Sequence, residues 1–262
     1  MQLVSAVKMK KAQTAVLESK PYRENLESII RKISGKVEQN TSRLLVSSDK
    51  GKPKGLIIFV SSNKGLCGAF HLNINRFMFK NIDFKENDFI TVGKKGAMFV
   101  SKMGGNVVAD FSSHAPTTEA SAIFTMAVSN FLAGKYHTVS VVYNKFISNL
   151  RSEQTLDVLL PVKLTKEINA EMQSKGEYVI EPSAREIVDF LLRSFVQEKI
   201  RGAMMSSEAV EHSSRMIAMK NATDNANEVI YSLTSLGNKL RQTKITMELL
   251  DMITAKESVE SN

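Results

Sequence analysis

Cysteine is almost absent from this chain: Cys67 stands alone among 262 residues. A single thiol forms no internal disulfide, and no Cys/His cluster has metal-ligand spacing, so a disulfide scaffold and a zinc module are both excluded. Long apolar runs are missing too, and with them any segment long enough to span a bilayer as a helix. The opening residues, MQLVSAVKMKKAQ, lack the basic-then-apolar order and the cleavage site of a signal peptide. A cytosolic-type compartment fits these absences. The four histidines, His71, His114, His137 and His212, are scattered, and no acidic pair stands out for acid–base work. Gly65 and Gly68 flank Cys67 where a phosphate loop would sit, but no Gly-Lys-Ser/Thr closes the segment. The turn is expected to serve close packing, and Cys67 to be a small buried residue, since no Lys/His pair is evident beside it. The expectation is a chain with no catalytic site, no metal and no cofactor.

What is present is charge, unevenly placed. The net charge is +8. Residues 1–54 hold 12 Lys+Arg against 5 Asp+Glu, residues 55–182 hold 13 against 11, and residues 183–262 hold 10 against 11. The basicity therefore sits on the N-terminal segment. Such a segment suits nucleic acid, an anionic membrane or an acidic protein partner, or is simply a solvated helix face. No finger-like or aromatic-rich motif accompanies it, so nucleic acid is not expected as a partner.

Three segments follow from periodicity. Residues 3 to about 46 read as one helix, with Leu26, Ile30, Ile33, Val37 and Leu44 recurring down one face. Pro21 should bend that helix without ending it. The SSDKGKPKG stretch then supplies a break and a linker. Residues 55–182 change character. The runs GLIIFV, FITVG, NVVADF and HTVSVVY alternate with helical stretches at about 70–81, 94–103 and 117–133. That alternation predicts an α/β layer with a mostly parallel sheet. Further strands are expected at Leu156–Leu160 and Tyr178–Ile180.

Residues 183–262 contain no proline. Ser183 and Glu186 have capping-box spacing right after Pro182. A continuous helix from there to about Glu257 would measure about 110 Å. Its apolar pattern repeats every seven residues. One position is filled by Met219, Ala226, Leu233, Leu240 and Met247, and the other by Ala222, Val229, Leu236, Thr243 and Leu250. A sustained heptad of this kind argues for a coiled-coil seam. Gly202 and Gly237 each weaken the helix by about 1 kcal/mol relative to Ala without interrupting the pattern. Long helices at both ends, with a folded domain between them, predict an antiparallel coiled coil on an α/β head.

The stretch RMIAMKNATDNANEVIYSLTSLGNKLRQTKITMELLDM resembles the C-terminal end of the gamma subunits of F-type ATP synthases. MQLVSAVKMKKAQ, PYRENL, SSNKGLCGAF, VSVVYNKF and the Leu-Leu-Pro at 159–161 are similar to further family segments, in the same order. The resemblance covers essentially the whole chain. It departs at Asn63 and Lys64, where the family has Asp and Arg, at His71 for Asn, and at Val210 for Ser. The family also has additional helical turns ahead of the position of Met1, so the upstream reading frame is expected to encode them.

The resemblance implies a Rossmann-like central domain, with a coiled coil that enters the ring of alpha and beta subunits. It implies a rotor shaft that couples proton flow through the membrane c-ring to ATP synthesis at beta, without catalysis of its own and without a small-molecule substrate. The implied partners are alpha, beta, epsilon and the c-ring. The implied location is peripheral, on the cytoplasmic face of a bacterial inner membrane, or in an organelle. Arg241, Gln242 and Thr246 match a family segment that meets the catalytic ring, and Lys8, Lys10 and Lys11 are placed against an acidic loop of that ring. Tyr178 and Glu181 match a segment near the membrane ring. A coiled-coil scaffold without a rotary role is the alternative reading, and co-assembly with alpha and beta separates the two.

Overall fold

The computed structural model describes residues 2–34, 42–46, 54–112, 116–162 and 183–260. It divides into two compact units, Met1–Met216 and Ile217–Asn262. The elements run α1 (Gln2–Ser34), β1 (Gly55–Val60), α2 (Phe70–Asn81), β2 (Asn87–Val92), α3 (Lys94–Lys102), β3 (Asn106–Phe111), α4 (Ala120–Leu132), β4 (Thr138–Phe146), β5 (Ser152–Leu160) and α5 (Ala184–Glu260).

The five strands form one sheet in the order β3-β2-β1-β4-β5. The first four are parallel, and β5 returns antiparallel to β4. The return is a tight hairpin: Ser148 N–H donates to Arg151 O at 3.0 Å, and Arg151 N–H donates back to Ser148 O at 3.2 Å. β1 is central, and all six of its residues are buried. A strand covered on both faces must be apolar throughout, which is why GLIIFV reads as an unbroken run. Successive side chains still alternate. Leu56, Ile58 and Val60 join Leu26 and Ile30 of α1, Ile123 and Ala127 of α4, and Val188, Leu192, Val196 and Ile200 of α5 in one core. Ile57 and Phe59 face the other way, into a second core with Ile74 and Met78 of α2 and Val100 of α3. Gly96 brings α3 close to β1, since a Cβ there would lie 2.8 Å from the Ser61 Cβ.

At the opposite, amino edge of the sheet, Asp88 ties four chain segments together. It is 5% exposed. It accepts from Tyr136 Oη at 2.9 Å and from Asn106 Nδ2 at 3.0 Å, and it faces Lys54 Nζ at 3.5 Å. Burial pushes the Asp88 carboxyl up, but those donors and the Lys54 charge outweigh it and hold the group below the usual carboxylate range.

The expected first helix is shorter than its periodicity suggests. α1 is described from Gln2 to Ser34 and runs through Pro21, Val37 lies outside the described residues, and Leu44 lies in a turn. Ser42 accounts for that turn. Its Oγ accepts from Leu44 N–H at 3.2 Å and donates to Asp189 of α5 at 2.8 Å, while its carbonyl accepts from Leu45 N–H at 3.1 Å. A serine that hydrogen-bonds its own neighbours competes with helix continuation. Leu44 is fully buried all the same, with its carbonyl bonded to Val162 N–H at 2.9 Å. The expected strand at Tyr178–Ile180 lies outside the described residues. β5 begins four residues earlier than the apolar run, held there by pairing with β4.

Candidate functional site

The connections place α2 and α3 on one face of the sheet and α4 on the other, so the winding reverses between β1 and β4. In an open α/β sheet, the crevice outside the carboxyl ends of the strands at that reversal is where ligands bind. Here α5 fills it. Ser206 Oγ accepts from Phe146 N–H at 2.7 Å and donates to Asn144 O at 3.3 Å. Ser213 Oγ donates to Asn149 O. Val210 closes an apolar cluster with Cys67, Phe70 and Phe146.

Arg215 finishes the plug. Its guanidinium donates to Gly65 O at 3.2 Å and to Lys64 O at 3.3 Å, and pairs with Glu211 at 2.7 Å. A phosphate loop presents backbone N–H groups to an anion. The β1–α2 loop does the reverse: two of its carbonyls face a cation from its own chain. Leu66 and Gly68, just after them, both have positive φ, 61° and 56°.

Ser62 and His71 meet in this loop at 3.1 Å, the separation of a nucleophile and its base. A competing acceptor, the Lys64 carbonyl, stands within reach of both side chains. Ser62 Oγ donates to Lys64 O at 2.9 Å, and His71 Nε2 also faces Lys64 O at 3.4 Å, an arrangement in which the ring nitrogen carries the proton and the serine accepts its hydrogen bond. Burial, the largest influence, lowers the His71 pKa. Cys67 is 1% exposed, and burial raises its thiol pKa despite the nearby Arg215 charge. No Lys/His pair is evident beside this cysteine in the sequence. The fold supplies Arg215 and Lys95, yet desolvation outweighs both and disfavours the thiolate.

The residues expected to meet partners lie elsewhere. Lys8, Lys10 and Lys11 are exposed on α1. Arg241, Gln242 and Thr246 are exposed on α5 within Ile217–Asn262. Thr246 Oγ1 is turned back onto its own helix, donating to Gln242 O at 2.9 Å. Tyr178 and Glu181 lie outside the described residues.

In the unit Ile217–Asn262, the heptad positions stand in solvent. Leu233 is 60% exposed, Leu240 61% and Met247 61%. A second apolar set, Ile230, Ile245, Leu249, Met252 and Ile253, is also exposed and lies off the heptad seam. Around residues 245–253 the helix is therefore apolar on nearly every side. A helix that is apolar all round is a buried helix, and exposed apolar surface on this scale marks an interaction site. Heptad counting alone misses the second set, although the run ITMELLDMI carries it openly.

The family model described as ATP synthase matches residues 1–259. The ATP synthase gamma chain of Clostridium perfringens strain SM101 is 35% identical to this chain, covering 98% of this chain and 90% of its own length. This chain belongs to the ATP synthase gamma chain family. The gamma chain of Geobacter strain M21 is 33% identical over 99% of this chain and 92% of its own length. Among solved structures, the central stalk of the Tetrahymena thermophila mitochondrial ATP synthase matches with a TM-score of 0.60 at 20% identity, over 85% of this chain and 97% of that one. The rotor of the Euglena gracilis mitochondrial enzyme matches with a TM-score of 0.55 at 15% identity, over 93% and 98%. At these identities the two structures speak to the fold. They agree with the gamma-family assignment made from the closer relatives. Among the described residues, no helix is long and apolar enough to cross a membrane.

Proposed function

We propose that this gamma-family chain is the central-stalk rotor subunit of an ATP synthase. In this reading it couples proton flow through the c-ring to ATP synthesis on the beta subunits, and performs no catalysis itself. The observation that carries the proposal is the exposed apolar surface at 245–253, interrupted by Thr246, Glu248 and Asp251, next to the polar pair Arg241 and Gln242. A helix of that kind suits a closely fitting apolar sleeve, such as a ring of alpha and beta subunits provides, with polar contacts at its collar. Contacts that differ with rotor angle then favour different beta conformations, because only differential interaction energy shifts such an equilibrium.

In the same reading residues 1–54 and 183–262 are the stalk helices and residues 55–182 are the foot. Lys8, Lys10 and Lys11 face an acidic loop of the catalytic ring. Tyr178 and Glu181 belong to the end that meets the membrane ring, and epsilon binds at the foot. The subunit is then peripheral to the membrane, on its cytoplasmic face in a bacterium. The plugged switch-point crevice supports the absence of a nucleotide role for this chain.

Co-expression with alpha and beta tests the proposal. One copy of this chain per hexamer is expected, with ATP hydrolysis that depends on its presence. A hexamer that assembles and turns over ATP equally well without it would overturn the reading in favour of a scaffold.

A further inference from the structure

A groove of about 540 Å³ opens within Met1–Met216, between α1, the β4–β5 hairpin and α5. Its walls are largely apolar, with Val16, Leu17 and Leu26 on one side and Phe146, Phe195 and Ala203 on the other. Three of its four carboxylates are ion-paired, and the fourth, Asp157, is hydrogen-bonded to a neutral phenol. Glu24 pairs with Lys20, Glu27 with Arg31 and Glu198 with Arg201, and Asp157 accepts from Tyr143 Oη. Lys199 lies over the Phe195 ring at 4.7 Å.

Two cations in the same groove, Arg23 and Lys145, have no hydrogen bond or ion pair among the described residues. The Arg23 Nε is shut off from solvent with no acceptor. Its position depends on a glycine, since a Cβ at Gly202 would lie 2.5 Å from Arg23 Nη1. A guanidinium does not lose its charge, and a donor buried without an acceptor is costly. An acceptor supplied from outside the chain would remove that cost.

We propose that this groove binds an acidic and apolar peptide segment of a partner protein, with one carboxylate on the Arg23 guanidinium and a second toward Lys145. Three observations select this occupant. The α1 wall from Val16 to Glu27 is about 17 Å long, three helical turns or five extended residues of a peptide. The apolar walls exclude a bare inorganic anion, which would leave them wet. Two unpaired cations ask for two carboxylates, where a single-headed fatty acid brings one. The inference is independent of the rotor reading.

The test uses the full-length chain. The probe is a fluorescein-labelled peptide of about twelve residues, built of leucine and alanine with two glutamates and read by anisotropy at physiological ionic strength. Competitors are the unlabelled peptide, its glutamine counterpart, inorganic phosphate and dodecanoate. Arg23→Met keeps the apolar stem and removes the charge. It should weaken peptide binding by about tenfold or more and leave the thermal midpoint unchanged or raised. Gly202→Ala keeps the charge but displaces the guanidinium, and should weaken binding by about threefold or more. Lys102→Gln, on the exposed side of α3, should leave binding as it is. Wild-type binding that ignores the glutamates overturns the proposal, as does binding that survives both Arg23→Met and Gly202→Ala. Competition by dodecanoate or phosphate but not by unlabelled acidic peptide would assign the groove to a lipid or a free anion, and also overturns it.

Discussion

Replacing Arg215 with Ala should loosen the root of α5 more than any other single polar change in the head. The side chain is 12% exposed and its partner Glu211 16%, at 2.7 Å. Removing one partner of a buried pair typically costs about 3–5 kcal/mol, because the other charge stays buried and unpaired. The residual exposure of both groups lets water take part of the load, which lowers the figure to about 2–4 kcal/mol. The Lys64 and Gly65 carbonyls lose their donor as well, and both lie in an exposed loop that water can reach, so they add little. Chemical unfolding of the full-length chain, followed by circular dichroism, measures the loss. For a unit of this size the midpoint temperature should fall by roughly 4–16 °C. Pairing the change with Glu211→Gln should recover about 1 kcal/mol or more, since the orphaned charge is then gone. An Arg215→Ala variant within about 0.5 kcal/mol of wild type would show that the plug in the switch-point crevice does not depend on this arginine.

Asp88→Asn should cost about 1–3 kcal/mol at neutral pH, because hydrogen bonds to a charged group are lost or weakened. The Asp88 pKa is depressed in the folded chain, so its contribution is fully present above the unfolded carboxylate value near 3.9 and is lost as pH falls through the folded value; the two proteins should converge in acid and differ at neutrality, and parallel pH–stability curves would refute this. Leu240→Asp should change the stability of the isolated chain by less than about 0.5 kcal/mol, since Leu240 is 61% exposed there. The same change should weaken co-assembly with alpha and beta by about tenfold or more, whereas Lys239→Asp should not; equal assembly of the two variants would refute burial of the seam in the complex. Arg241→Ala with Gln242→Ala should leave the helix intact and slow ATP hydrolysis by the assembled complex about fivefold, equivalent to about 1 kcal/mol of coupling. Wild-type turnover by that double variant would remove both residues from the coupling mechanism.

The parts of the fold that could be read from the sequence are those whose burial is local and periodic. β1 is apolar at every position because both faces are covered, and α2 begins and ends where its pattern does. The reading fails where a contact from a distant segment decides the outcome. Leu44 keeps helical register with Leu26 and Ile30 by coincidence, since it sits in a turn held by Ser42, which is bonded to Asp189 far along the chain. Ser152–Thr155 carry no strand pattern of their own and are held only by the facing residues Tyr143–Phe146.

The site divides along the same line. Ser206, Ser213 and Arg215 look like ordinary polar positions on a long helix, yet their acceptors lie about 60 to 150 residues away in the chain. No spacing rule connects them, so the sequence could argue against a phosphate loop only from a missing motif, while the fold shows α5 side chains against the β1–α2 loop and the end of β4. The stalk end is the converse case. Its exposed apolar residues are contiguous in sequence, and the heptad names half of them because a coiled-coil template counts a single seam. Ile245, Leu249, Met252 and Ile253 fall outside that template because one partner helix could not cover them. Their exposure, taken together with the seam at Leu240, Met247 and Leu250, requires cover from more than one direction. A single antiparallel helix meets only part of that requirement, and a surrounding ring of subunits meets the rest.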